Sequence, residues 1–470
     1  MSSRSTAAAL GVQTLLLVLL GLGLAALIMR APLTVTLGGA LAVLFLAGFL
    51  QRPDLGLLFT LVVRTATDIG YVLLPDNPAA EPVRLAALPN AALVSVLVLA
   101  GGGFLLRRHL PLVRLPGGIL LTFLAVTGFV GVLRSGRMLS GLAEWLPIVA
   151  AFVAYGLAAS QFQTRREITR VVGIFAASLV APAAVAFLQW TGGAYFAVPE
   201  LGLFRVSGTF AHPNAFAIYL VLILSVFLAR AVSLTGWSRW MAWGVVMICS
   251  TLLGMTFTRI AWVGALIVVG VIGLLRRPLL LAALPVAAVV AVRVPEIAAR
   301  LADPFGGSFA DRVLLWQATM ERWVEITAAE QNSVSVALNR LVGLGPGAVG
   351  TITAPVRGIP FGAHNDYLAL LVEYGIFGLA LYLVLIGVVV RLAYTGWRMS
   401  REPALKAVAL GLLGVALAYP VIGLTDHVIG QTANQLYFWT LVGLVRRVTQ
   451  MVPVGEGDVT HGAPGRESPG

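Results

Sequence analysis

Charge is what this 470-residue sequence has least of: 11% of its residues are Asp, Glu, Lys or Arg, against 59% that are hydrophobic. Soluble globular domains carry about 25% charged residues. A chain of this composition, with a mean hydropathy of +0.93, has no ordinary water-facing surface. A soluble enzyme and a disordered scaffold are both excluded. Cysteine is scarcer still, and the single Cys249 excludes a disulfide framework or a cysteine-ligated zinc within one chain. Lysine is reduced to Lys406, so arginine carries nearly all of the positive charge.

What is present in abundance is long apolar stretches. A membrane-spanning helix needs about 20 apolar residues, and such runs lie near 7–29, 33–50, 54–74, 86–106, 117–133, 141–160, 170–190, 212–230, 240–257, 260–275, 279–293, 365–390, 406–425 and 431–446. A transmembrane barrel would alternate apolar and polar residues over segments of about 10; these runs are unbroken. The expected fold is an all-α polytopic membrane protein with about 12–14 transmembrane helices. The first run is too long for a signal-peptide core and lacks a cleavage site, so it reads as a retained helix. The chain then divides into transmembrane residues 1–293, a long loop 294–363, a second transmembrane block 364–447 and a polar, disordered tail 448–470. The loop holds an amphipathic stretch, Phe309–Val324, followed by Gly343, Gly345, Gly347 and Gly350.

Orientation follows from the placement of positive charge. With the N-terminus inside, Arg107, Arg108, Arg114, Arg165, Arg166, Arg170, Arg276 and Arg277 fall on the cytoplasmic side, as do Arg391, Arg398, Lys406, Arg446 and Arg447. Both termini are then cytoplasmic, and the 294–363 loop is on the outer face. The net charge of +12 is thus a topology signal and a means of contacting membrane lipids; it requires no nucleic acid.

Charges at membrane depth cost about 2.5–3.5 kcal/mol each on insertion scales, so those at the outer ends of spans invite a functional reading. Arg205 lies in FRVSGTFAHPN, Arg259 in TFTRIAW, and His364 heads AHNDYLALLVEYG. They are far apart in sequence, yet all are expected on one face. The helices beginning near Pro213, Arg259 and Asn365 or Asp366 run inward from that face. Their N-termini present unpaired amide donors and partial positive charge, suited to an anion such as a diphosphate. His212, before Pro213, is expected as a helix cap or substrate contact. Arg64 and Asp68 stand at i,i+4 and are expected to pair on one helix face. His427 and Asp426 occupy a short outer turn where solvation alone would explain them. No Asp-x-Asp or Glu-x-Asp pair lies on the outer face, since Glu456 and Asp458 fall in the tail. Diphosphate chemistry there would rest on arginine, with neither a metal nor another cofactor.

The motifs RVSGTFAHPNAFA (Arg205–Ala217), Thr258–Arg259, ADRVLLWQATM (Ala310–Met320), LVGLGPGAVG (Leu341–Gly350) and HNDYLALLVEYGIFGL (His364–Leu379), in this order around a large outer loop, give the sequence a family likeness. It resembles the O-antigen ligase and polymerase family, bacterial inner-membrane transferases of undecaprenyl-diphosphate-linked glycans. The resemblance implies a GT-C-like, metal-independent, inverting glycosyltransferase of lipopolysaccharide or surface-polysaccharide assembly. Its two essential arginines fall on Arg205 and Arg259, with Thr258 where a serine is usual. Its catalytic histidine falls on His364 as general base. The resemblance carries Arg312 over as a substrate contact; His212, Asn365 and Asp366, beside the motif residues, are further candidate substrate contacts, with Asn365 or Asp366 also able to cap the helix that begins there. The expected partners are the undecaprenyl-diphosphate-linked donor and a lipid A–core or other glycan acceptor. Polymerisation onto a second lipid-linked glycan uses the same donor site and stays open. So does a lipid-linked-glycan transporter, which would place charges and broken helices at mid-membrane.

Overall fold

The computed structural model describes residues 45–66, 90–110, 112–192, 196–198, 203–295, 298, 302, 308–328, 333–357 and 362–451. Among the described residues the architecture is all-α except for one two-stranded antiparallel hairpin, β1 (Phe196–Val198) and β2 (Leu203–Arg205), in which Phe196 faces Arg205. The helices in chain order are α1 (Pro53–Arg64), α2 (Asn90–Arg107, with a π-helical turn at Leu97–Gly101), α3 (Gly118–Ser135), α4 (Met138–Gln161), α5 (Arg165–Ala177) and α6 (Val180–Gly192). After the hairpin come α7 (Pro213–Ser233), α8 (Gly236–Met255), α9 (Arg259–Arg276) and α10 (Ala283–Arg293). The former loop region folds into α11 (Ser308–Ala328), α12 (Ser333–Val342) and α13 (Ala348–Arg357), and the chain returns through α14 (Asp366–Met399), α15 (Pro403–Ile422) and α16 (Thr432–Gln450).

Eight of these helical stretches are long and apolar enough to cross a membrane: α2, α3, α4, the joined α5 and α6, α7, α9, α14 and α15. The protein therefore has a multi-pass membrane architecture. Several expected runs take a different form. The 170–190 run is interrupted at Ser178–Leu179, two residues before the helix resumes. The 279–293 run becomes a 3₁₀ turn, Pro278–Ala282, and the 11-residue α10, too short to span. Runs 240–257 and 431–446 do form helices as expected, α8 and α16, of 20 and 19 residues. The 7–29 run, most of 33–50, Asp68 with its expected partner role, and the tail beyond 451 lie outside the described residues.

At the centre stands α7. Its sequence, PNAFAIYLVLILSVFLARAVS, is apolar on every face, which demands neighbours all round. Accordingly 89% of its span is buried, against 28% for α9 at the periphery. Small residues allow close approach: a side-chain carbon on Gly411 of α15 would meet the Val226 Cα of α7 at 2.8 Å, and the Ser225 hydroxyl donates to the Gly411 carbonyl across that contact at 2.7 Å. Gly443 of α16 likewise nestles against Ala158 of α4.

The long α14 is broken at Gly375, whose φ of 68° and ψ of −174° leave the helical region. Any β-carbon there would collide with the Leu341 carbonyl. The break frees the Val372 and Glu373 carbonyls, and Leu344 and Gly345 donate their backbone N–H groups to them at 2.9 and 3.0 Å. The glycine run of residues 341–350 is thus a backbone seam between the 333–357 segment and α14, with Gly345 held at a φ of 90° against Gly131 of α3.

Candidate functional site

Six helix ends meet at one end of the bundle. The N-termini of α7, α9, α14 and α16 arrive there together with the C-termini of α8 and α15. Backbone and side-chain bonds tie them: Asp366 N–H to the Gly423 carbonyl at 2.8 Å, Asn434 Nδ2 to the Ala215 carbonyl at 3.1 Å, and Val206 N–H to the Met255 carbonyl at 3.3 Å. The starts of α7 and α14 each have a local cause. Pro213 fits the first turn of α7 and His212 Nδ1 accepts the Asn214 N–H at 3.1 Å. Asn365 caps α14, its Oδ1 accepting from Leu368 N–H at 3.0 Å.

Arg205 is carried in from β2 and is only 8% exposed. Its Nε donates to the Thr256 carbonyl at 2.7 Å, and its Nη2 donates to Asn214 Oδ1 at 2.6 Å and Thr258 Oγ1 at 2.8 Å. The guanidinium therefore clamps α7 to the α8–α9 turn that presents Arg259. In that turn Phe257 adopts a φ of 49°, an unusual value for an aromatic residue, and His364 adopts 47° just before α14. Left-handed backbone at both positions is of the kind that gathers at functional sites, at a cost of about 1–3 kcal/mol each.

From Asn214 the network continues to Asp426, whose Oδ2 accepts from Asn214 Nδ2 at 2.6 Å. Asp426 Oδ1 accepts the His427 N–H at 2.8 Å and faces His364 Nδ1 at 3.6 Å. Burial alone would raise the Asp426 pKa, but His364, Arg312 and the His427 amide outweigh it and hold the carboxyl at about 2. Asp426 is 1% exposed, which corrects the expectation of a merely solvated turn. The turn after α15 folds inward between the starts of α7 and α14, and its carboxylate answers the cations gathered there. Arg312 reaches the site from α11, where its Nη1 donates to the Thr425 carbonyl. Burial lowers the Arg312 pKa from its ordinary value, with Asp426 opposing and the nearby positive charge of Arg259 lowering it further. His212 is held neutral: burial first, then Arg205, push its pKa down to about 3. That suits its role as the acceptor in a helix cap.

The sequence-predicted Arg205, Arg259, His212, Arg312, His364, Asn365 and Asp366 are thus gathered at one end of the bundle. Their immediate contacts differ from one to the next. His212 and Asn365 cap helices. Asp366, fully buried, faces away from the arginines: its Oδ1 accepts Ile429 N–H at 3.2 Å and meets His427 Nδ1 at 3.1 Å. Asn214, Thr258, Asp426 and His427 were not among the expected site residues. The first two stand inside the motifs around Arg205 and Arg259, where a polar side chain in an apolar setting was the available signal.

A second charged group adjoins the first. His427 Nε2 lies 4.0 Å from Glu144 Oε2 of α4. Burial would lower the His427 pKa, but its pairing with Asp366 and Glu144 overrides burial and raises it well above the ordinary histidine value. Glu373 Oε1 accepts the N–H groups of Gly347 and Val349 at 3.0 and 3.3 Å, at the start of α13. Among the described residues, no three His, Cys, Asp or Glu side chains are placed to hold a metal ion. Comparison of the chain with family models and with curated proteins finds no match.

Proposed function

We propose that the protein is an inverting membrane glycosyltransferase that moves a glycan from an undecaprenyl-diphosphate donor to an acceptor hydroxyl without a metal. The observation that carries this reading is the convergence of Arg205, Arg259, Arg312 and His364, from four distant segments, on the N-termini of α7, α9 and α14. Desolvated cations and oriented amides in one place form a site for a doubly charged phosphate group, and they stabilise charge as it grows on a leaving diphosphate. Arg259 faces the donor, and Arg205 fixes the turn that presents it.

His364 is the general base. Asp426 beside Nδ1 favours the tautomer protonated there, which leaves Nε2 to accept a proton. The acceptor oxygen attacks the anomeric carbon as its proton passes to Nε2. The carbon–oxygen bond to the diphosphate breaks, and the electron pair leaves with undecaprenyl diphosphate. Attack from the opposite face inverts the anomeric centre. Ligation to lipid A–core and polymerisation onto another lipid-linked glycan differ only in the acceptor, and ligation on the periplasmic face of the bacterial inner membrane is the form favoured by the sequence resemblance.

A transporter of lipid-linked glycans is the second reading, favoured by the interruption of α14 at Gly375. Against it, the carbonyls freed by that break are already bonded by Leu344 and Gly345 and coordinate no passing ion. Incubating the purified protein with undecaprenyl-diphosphate glycan and candidate acceptors separates the two. A new glycosidic bond, formed equally well in EDTA, is the expected result. Flipping of the donor across a vesicle without bond formation, or transfer that vanishes in EDTA and returns with magnesium, would overturn the proposal.

A further inference from the structure

Beside the arginine cluster lies a partly open hollow of about 20 Å³, lined by Glu144, Asp366, Glu373, Tyr374, His427 and Gly430 among others. It is large enough for one water or one hydroxyl group. Its chemistry is the reverse of its neighbour's. Three carboxylates and one imidazole surround it, and the carboxylates are only partly satisfied by the protein. Glu373 Oε1 and Asp366 Oδ1 are occupied by backbone N–H groups, but Asp366 Oδ2 is buried with no hydrogen-bond partner. The Tyr374 hydroxyl, on a residue 4% exposed, is likewise buried with no partner. A buried polar atom left unsatisfied costs about 1–3 kcal/mol, so both atoms favour an incoming hydrogen-bonding group. Glu144, with its side chain 47% exposed, stands at the open side of the group.

The hollow and the proposed catalytic base share two short stretches of chain. His364 and Asp366 are two residues apart at the start of α14, and Asp426 and His427 are adjacent. The two stretches thus set the hollow next to the proposed base, with Asp366 and His427 turned to the hollow and His364 and Asp426 turned to the arginines. From this juxtaposition we infer that the hollow is an acceptor subsite for neutral or amino sugars, in which a ring hydroxyl or amine donates to Glu144 and Asp366 and meets the Tyr374 hydroxyl. The inference rests on the transferase reading for its place in a reaction, and it adds the substrate class. A phosphorylated or uronate-bearing ring is disfavoured at this position, because its anion would meet the Glu144 and Asp366 carboxylates, which His427 only partly neutralises.

The test is binding of a glycan panel, neutral, amino, uronate and phosphorylated oligosaccharides, to the full-length protein in nanodiscs with no donor present. The expected result is retention of neutral or amino members and rejection of acidic ones. Glu144→Gln and Tyr374→Phe should each weaken that binding about tenfold, the loss of one good hydrogen bond. Glu144→Gln changes a half-exposed side chain and Tyr374→Phe keeps the ring, so both are expected to fold, and unchanged affinity for undecaprenyl diphosphate verifies it. Acidic glycans bound as well as neutral ones, no glycan bound, or both variants binding like the wild type would overturn the inference and leave a water-filled hollow. Glycan binding that depends on Glu144 and Tyr374, in a protein that never transfers the glycan, would keep the subsite and remove the transferase reading. Transfer with an acceptor KM indifferent to both variants would do the opposite.

Discussion

Two charged clusters lie side by side at the same end of the bundle, and they are built by opposite rules. In one, Arg205, Arg259 and Arg312 crowd together with a single buried carboxylate, Asp426, among them. In the other, Glu144, Asp366 and Glu373 surround a single imidazole, His427. Each contains one ion of the minority sign. The difference teaches what surplus charge is for in an apolar protein. A buried excess of either sign is costly unless something neutralises it, and on the proposed reading each cluster's surplus is answered by a different ligand group. Adjacent residues serve opposite clusters: Asp426 faces the arginines and His427 the carboxylates.

The sharpest way to separate the clusters is His364→Ala. As the proposed base it should lower turnover by about 10²–10⁴-fold, with donor affinity and melting temperature close to wild type. A variant that melts early yet turns over normally per folded molecule would make His364 structural and move the base elsewhere. Next in size is a contrast within the basic cluster. Arg205→Ala leaves Asn214, Thr258 and the Thr256 carbonyl without their shared donor in a buried network. It should cost about 3–5 kcal/mol of stability, the usual penalty for breaking a buried charged network, and abolish transfer as well. Arg259→Ala, at the half-buried first residue of α9, should abolish transfer with little change in melting. Arg259→Lys should also be poor, because lysine keeps the charge and loses the planar fork that grips phosphate oxygens. Equal melting losses in the two alanine variants would erase the distinction between a residue that positions and one that contacts.

The basic cluster was largely legible in the sequence and the acidic one was not, for a physical reason. An arginine or histidine at the head of an apolar run is conspicuous, and Pro213 and Asn365 mark where the helices start, so Arg205, Arg259 and His364 could be placed on one face before any fold was known. The turn holding Asp426 and His427 looks in sequence like any exposed connection. Its burial arises only when that turn is drawn between the starts of α7 and α14, a tertiary event with no local signature. Glu144 and Glu373 did leave a trace, each a lone acid in a long apolar stretch. The break at Gly375 left none, since a glycine within an apolar helix pattern is ordinary until the Leu341 carbonyl is found pressing on it.

The two clusters should also respond to pH in opposite directions. Asp426 has its folded pKa lowered to about 2, so its contribution to stability is fully present above the unfolded carboxyl value of about 3.9 and is lost as pH falls towards 2. His427 has its folded pKa raised well above the ordinary value, so its contribution is present below about 6.5 and is lost as pH rises through the folded value. Melting temperature measured against pH should show an acidic limb that Asp426→Asn flattens and an alkaline limb that His427→Gln flattens. If each variant instead flattened the other limb, or neither limb changed, the assignment of charge to the two clusters would be wrong.

The smallest effect lies on the residue between them. Asn365 separates His364 from Asp366, and the sequence offers it both as a helix cap and as a candidate substrate contact. Its Oδ1 accepts the Leu368 N–H at 3.0 Å, the bond that caps α14. If capping is all it does, Asn365→Ala should lower stability by about 1 kcal/mol, the usual loss for a capping side chain. Asn365→Ser, which keeps an oxygen able to accept that bond, should recover most of it. Turnover per folded molecule should then be near wild type in both. A substrate contact predicts a different pattern: an acceptor or donor KM that rises in both variants, because serine is too short to reach where the amide reached, while the melting temperatures of the two diverge. Measuring KM and melting temperature on the same preparations decides it, and a raised KM in the well-folded serine variant would return Asn365 to the binding site.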